Sequence, residues 1–212
     1  MTNFIPVFPL GIVIYPGENL NLHIFEPRYK QLITECYAEK KPFGIPTVLK
    51  NGIGDIGTLV EIVEIVEVYE DGKIDVRTRG LKVFRILEVV KNLPEKLYSG
   101  AIVNYPPNVE TPKILLMQWV VKNIRALHGL LKLSKDFEKP DEQLVSYDVA
   151  HHAALSLEEE YELLSLFRED QRLAYLKQHL QKVLPVVTEM ELLKERIKLN
   201  GHFKNLQSDF NL

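Results

Sequence analysis

Serines, paired histidines and clustered cations are the side chains of this sequence with the chemistry to cut a bond, hold a metal or grip a phosphate. Peptide hydrolysis by a serine–lysine pair needs a hydroxyl in a small-residue loop with an amine beside it in space. None of Ser99, Ser134, Ser146, Ser156, Ser165 and Ser208 lies between two glycines. Ser134 and Lys135 are adjacent, but residues 134–140 read as a solvated loop. Ser156 precedes Glu159 at the spacing of a helix capping box. A phosphate cradle needs GxxxxGK followed by Ser or Thr; the Gly-Lys pair of this chain, Gly72-Lys73, runs into Ile74 within a turn. His151-His152 is the histidine cluster, and neighbours on a helix point about 100° apart. A metal there would have to recruit Asp148 or His128, so the pair reads as surface or interface imidazoles. No catalytic residue, metal or cofactor is expected.

Two further groups invite binding rather than catalysis. Arg77, Arg79, Lys82 and Arg85 form a basic run, but Glu61, Glu67 and Asp75 share the same strand pair and no aromatics interleave to stack bases. Cross-strand pairing accounts for them, and an RNA- or nucleotide-binding module stands as the alternative function. Phe25, Glu26, Arg28 and Tyr29 surround Pro27 at a strand-to-helix junction. Glu26 would favour the positive helix start and Arg28 would tie the helix down; alternatively Phe25, Arg28 and Tyr29 rim a groove for peptides.

The elements that position these residues follow from composition and period. The chain has 212 residues, 46% hydrophobic and 26% charged, with net charge −3, so it can bury a core and carries no global field for nucleic acid or anionic membranes. Its single cysteine, Cys36, fits a reducing compartment. Met1 to Pro9, with two prolines and no basic residue, do not read as a signal peptide, and the apolar window 114–121 is far short of the about 20 residues of a spanning helix. A cytoplasmic protein is expected. Before residue 110, β-branched runs alternate with Gly and Pro; after it helical periodicity dominates. Extended segments are expected at 7–15 and 20–25, separated by Pro16-Gly17. A helix starting at Glu26-Pro27 places Tyr29, Leu32, Ile33, Cys36 and Tyr37 on one stripe, with Cys36 buried. Residues 59–69 and 74–86 form a hairpin whose loop Glu70-Asp71-Gly72 pairs Val68 with Ile74 and Val66 with Val76, leaving Glu64 to break the apolar face. A parity shift after Gly80 predicts a bulge. Thr111-Pro112 opens a helix reaching about Leu133; Asp170 and Thr188 read as later caps, and Asn200-Gly201 as the end of the last helix. Leu173, Leu176, Leu180 and Val183 share one face. The apolar tail residues Phe203, Leu206 and Phe210 would pack at home or on a partner.

Phe8-Pro9-Leu10, Tyr15-Pro16-Gly17 and His23-Ile24-Phe25-Glu26-Pro27-Arg28-Tyr29 closely resemble the start of the Lon protease amino-terminal, substrate-binding domain family. Ile56-Gly57-Thr58-Leu59, Gly80 through Phe84 to Ile86, Leu155-Ser156-Leu157-Glu158-Glu159 and Asp170-Gln171-Arg172-Leu173 resemble its later segments, so the likeness spans about residues 5–184. Asn19-Leu20-Asn21 departs from the family in lacking its usual proline. The resemblance implies an α+β fold: a PUA-like β pseudo-barrel lobe over residues 1–110, followed by an α-helical bundle lobe over 111–212. It also implies a stand-alone form lacking ATPase and protease domains. Such a module would bind unfolded or exposed hydrophobic polypeptide segments without cutting them, or act as an adaptor to a separate protease or other protein assembly.

Overall fold

A computed structural model describes the backbone of residues 3–109 and 111–208, with side chains to residue 198. Six strands and five α-helices follow in the order β1 (Asn3–Pro6), β2 (Asn19–Ile24), α1 (Pro27–Glu39), β3 (Phe43–Leu49), β4 (Gly52–Val68), β5 (Ile74–Val90), β6 (Gly100–Asn104), α2 (Ile114–Leu131), α3 (Ser146–Val149), α4 (Leu157–Leu164) and α5 (Glu169–Ser208). The strands make one antiparallel sheet in the order β1-β6-β5-β4-β3, and β2 pairs with β5. Directly after β1 the chain runs alongside β3. The Phe8 amide donates to the Gly44 carbonyl (2.8 Å) and the Val48 amide to the Leu10 carbonyl (2.7 Å). Those parallel bridges close the sheet on itself. Within the extended segment expected over 7–15 they stand in place of a continuous ladder, because Pro9 brings no amide to one.

The β4–β5 hairpin has the expected loop. The Tyr69 amide donates to the Lys73 carbonyl (2.9 Å), Gly72 has φ 73°, and Val68 faces Ile74. Opposite Val76, however, stands Ile65 rather than Val66, because β4 changes register between Ile62 and Glu64 and again between Ile65 and Glu67. Each extra residue flips parity. Glu64 therefore lands opposite Arg77 on the charged face and forms an ion pair with it, while Val63 and Val66 turn outward. The bulge after Gly80 is present too, with Leu81 as the extra, outward residue.

Gly80 itself lies beneath the Tyr15-Pro16-Gly17 turn. The Gly17 amide donates to its carbonyl and its own amide donates to the Glu18 carbonyl, both at 2.8 Å. A Cβ at this position would sit 2.3 Å from the Tyr15 carbonyl oxygen. Nearby, the buried Thr58 hydroxyl donates to the Ile14 carbonyl. The glycine and threonine motifs thus pin the turn to the sheet.

Helix α1 starts with Pro27 behind the N-cap Glu26 and buries Tyr29, Leu32, Ile33 and Cys36, whereas Tyr37 is exposed. Burial pushes the Cys36 thiol up to about 12 and makes it a poor nucleophile. Helix α2 begins at Ile114, three residues after Thr111, because the chain ahead of it is held extended: the Val109 amide donates to the Phe167 carbonyl (2.8 Å). The Ser156–Glu159 capping box is formed. Asp170 lies within the first turn of α5 and pairs with Arg168 (2.7 Å) rather than capping the helix. Thr188 is interior to α5, its hydroxyl donating to the Leu184 carbonyl (2.8 Å), and the helix runs through Asn200-Gly201 to Ser208. The side chains of Phe203 and Leu206, and all of Phe210, lie outside the described residues. Leu173, Leu176 and Leu180 are fully buried in a cluster that also takes in Val13, Tyr15, Ile56 and Val83, so sheet and helices share one core. Among the described residues, no helix is long and apolar enough to cross a membrane.

Candidate functional site

The strand-to-helix junction fixes the first wall of a cleft. Pro27 starts α1 directly after β2, so Arg28 and Tyr29 leave the first turn on the side of the closing segment. The Tyr29 ring stacks on Phe8 at 3.9 Å, and burial raises its phenol above the ordinary range. The Arg28 guanidinium lies 4.5 Å over the Tyr29 ring and holds Glu26 at 2.7 Å. Together Arg28 and Tyr29 face a cavity of about 230 Å³. Val7 and Pro9 line it from the closing segment, Pro46 from β3, Ile53 from β4, Ile86 and Val89 from β5, and Leu97 and Tyr98 from the approach to β6. Lys91 and Ser99 complete the lining. Phe25 is 58% exposed and lies outside this lining, with its ring 6.4 Å from His23. Of the three residues expected to rim a groove, the fold therefore brings two together.

Larger hollows are more polar or sit elsewhere. One of about 410 Å³ lies between the start of α2 and Asp141, Glu142 and Glu169; another of about 560 Å³ follows the end of α1 with Lys40, Lys41 and Glu61. Neither gathers residues of the opening motifs.

The basic run is engaged on the sheet. Arg77 pairs with Glu64, Arg85 approaches Asp55 at 3.7 Å, Lys82 lies 3.8 Å over the Tyr105 ring, and Arg79 stands across from Glu61. His23 bonds Asp75 at 2.6 Å, and that contact, with the Tyr69 hydroxyl (2.7 Å), holds the Asp75 carboxyl below its usual range. Among the described serines, Ser146, Ser156, Ser165 and Ser99 direct their hydroxyls to Glu169, Glu159, the Tyr161 carbonyl and the Lys91 carbonyl. None of these four hydroxyls meets a lysine amine.

The two adjacent histidines go different ways. His152 packs against Phe137 (5.0 Å) and His128 (5.5 Å). His151 sits where sheet and helices meet, its Nδ1 2.7 Å from Glu160 and its Nε2 3.2 Å from Glu18, with the Tyr15 ring 4.7 Å away. Burial alone would lower this imidazole, but bonds to Glu160 and Glu18 overcome it and push it up to about 9. Asp148, the ligand a metal would have recruited, instead holds Lys139 at 2.6 Å. Tyr161 adds a second contact across the seam: its hydroxyl donates to Asp55 (2.7 Å) and accepts from the Ile56 amide (3.1 Å).

A third group escaped the sequence reading. Arg172, fully buried, donates to Glu169 (2.8 Å), Ser146 (2.7 Å), Asn108 (2.7 Å) and the Leu166 carbonyl (2.9 Å), with its guanidinium 4.1 Å over Tyr147. The Ser146 hydroxyl and amide in turn donate to Glu169 at 2.6 and 2.8 Å. This network ties α3 and the segment before α2 to the start of α5. A buried ion pair so fully satisfied is a positioning device rather than a reactive centre.

Comparison with known proteins bears on the whole arrangement. Residues 5–182 match the family described as the ATP-dependent protease La (LON) substrate-binding domain. Among solved structures, the chain is similar to a Lon N-terminal domain protein from Xanthomonas campestris, with 24% identity and a TM-score of 0.64 over 83% of this chain and 98% of that one. It is also similar to the N-terminal domain of Mycobacterium avium complex Lon protease, with 16% identity and a TM-score of 0.63 over 84% and 98%. At these identities the structural likeness is one of fold.

Proposed function

The chain belongs to the LON substrate-binding domain family, and from that premise we propose that it is a polypeptide-binding module holding exposed apolar segments of other proteins. The binding site in this proposal is the cleft walled by Arg28 and Tyr29. The observation that carries it is the convergence of the opening motif segments, Phe8-Pro9 and Arg28-Tyr29, on one mostly apolar hollow. Preformed apolar hollows with a few polar groups suit an inserted side chain of a bound peptide. Binding would proceed without cleavage, in the cytoplasm, on a lobe of the PUA-like pseudo-barrel kind. In the adaptor form of the proposal, the captured chain is presented to a separate protease or other protein assembly docked elsewhere.

A photo-crosslinking residue placed at Leu97, which is 65% exposed on the cleft rim, should capture reduced, unfolded casein. Val89→Asp should abolish that capture while leaving the fold intact by circular dichroism. Casein incubated with ATP should remain uncut. Capture that survives Val89→Asp would remove the cleft from the proposal, and salt-sensitive retention of RNA without casein would replace a peptide module with a nucleic-acid one.

A further inference from the structure

The charged groups of the cleft have one sign. Arg28 and Lys91 line it, and no carboxylate does, although the chain as a whole carries a net charge of −3. The nearby acids are already engaged, Glu26 with Arg28 itself. Glu35, behind the Tyr98 wall, accepts from the Tyr98 hydroxyl and from Lys96 (2.9 Å). Glu26 meets Arg28 through a single oxygen, Oε2, at 2.9 Å from Nε and 2.7 Å from one terminal nitrogen. A guanidinium has five N–H donors, so this contact leaves others to serve a ligand. Lys91, exposed just past the end of β5, has no carboxylate partner among the described residues.

Resting on the reading that the cleft takes polypeptide, we propose that it selects apolar segments bearing an acidic side chain beside the inserted residue. Lys91 and Arg28 together hold that carboxylate. The apolar walls give the anchor, and the two cations discriminate among flanking residues. A basic flank meets like charge at the rim and an acidic one gains charge-assisted hydrogen bonds. Because both cations are solvent-facing, the preference is screened by salt, with a Debye length of about 10 Å at 0.1 M.

The test uses fluorescence anisotropy with three labelled peptides that share one apolar core and differ only in aspartate, asparagine or lysine flanks. The expected order of affinity is aspartate, asparagine, lysine, with about tenfold between the extremes at low salt and a much smaller ratio at high salt. Lys91→Glu should reverse the order, and Lys91→Met should narrow it. Circular dichroism verifies that both variants fold. Equal binding of all three peptides, lost together in Val89→Asp, would overturn the selectivity and leave the cleft standing. Failure of all three to bind would overturn both. An aspartate preference undiminished in Lys91→Met and in Arg28→Met would also overturn the proposal.

Discussion

At the scale of single residues, the side chains that looked reactive are tied into the architecture. His151 is the clearest case, since its two nitrogens join Glu18 from the sheet side to Glu160 on α4. A free imidazole titrates near about 6.5, whereas this one is pushed up to about 9. The folded protein therefore binds the proton more tightly than the unfolded chain. The stability it contributes is full below about pH 6.5 and is lost as pH rises through about 9. With a third of the ring exposed and screened, the loss should be about 1 kcal/mol. Urea unfolding at pH 6 and pH 10 should show that loss in the wild type and a smaller one in His151→Gln; equal losses in both would refute the role. The pairing was not legible because Glu18 and His151 are far apart in sequence. Arg172 was more nearly legible. It lies four residues before Leu176 and beside Leu173, on the face that α5 buries, and Glu169 stands one turn earlier. A charge on a buried helix face requires a buried partner, and that inference was open from the spacing alone.

At the scale of elements, local period served well and long-range pairing poorly. The α1 stripe, the Gly72 turn and the Ser156 cap all follow from contacts within a few residues, and all are present. The bulges at Val63 and Val66 are different. Strict alternation put Glu64 on the apolar face, and only the partner strand shows that one extra residue, Val66, moves it off before a second, Val63, restores the parity beyond it. Thr188 and Glu191 have capping-box spacing, yet the Thr188 hydroxyl donates back to the Leu184 carbonyl and the helix runs straight through them. The extended segment expected over 7–15 bridges β3 at Val7 and Leu10, partners that lie beyond the reach of a local pattern. Gly80 supplies the prediction at this scale. Ala there must push the Tyr15 turn away from the sheet, at a cost of about 1–3 kcal/mol, while Gly11→Ala, with open space around its added methyl, should change stability by under about 0.5 kcal/mol. Chemical denaturation of the two variants side by side makes the comparison, and equal stability would discount the close approach.

At the scale of the whole molecule, the sheet and the helices are not separable bodies. Val13, Tyr15, Ile56 and Val83 are buried among the leucines of α2, α4 and α5, and Tyr161 and His151 bond across the same seam. One cooperative transition is expected. The single tryptophan, Trp119, packs against that core and reports on the helices, while amide resonances of β5 and β6 report on the sheet. The two signals should fall at the same urea concentration, and Tyr161→Phe should move both together; separated midpoints would show two independent units.

The closing of the sheet by residues just after β1 also governs timing. The walls of the cleft come from positions as early as Val7 and as late as Ser99. β1 completes its pairing with β6 only once Val103 is in place. On the ribosome the cleft can therefore close only after these strands have emerged, while the apolar faces of α2, α4 and α5 are still to come. Contacts of such long separation form slowly, so the cleft is expected to be among the last features of the sheet to take shape.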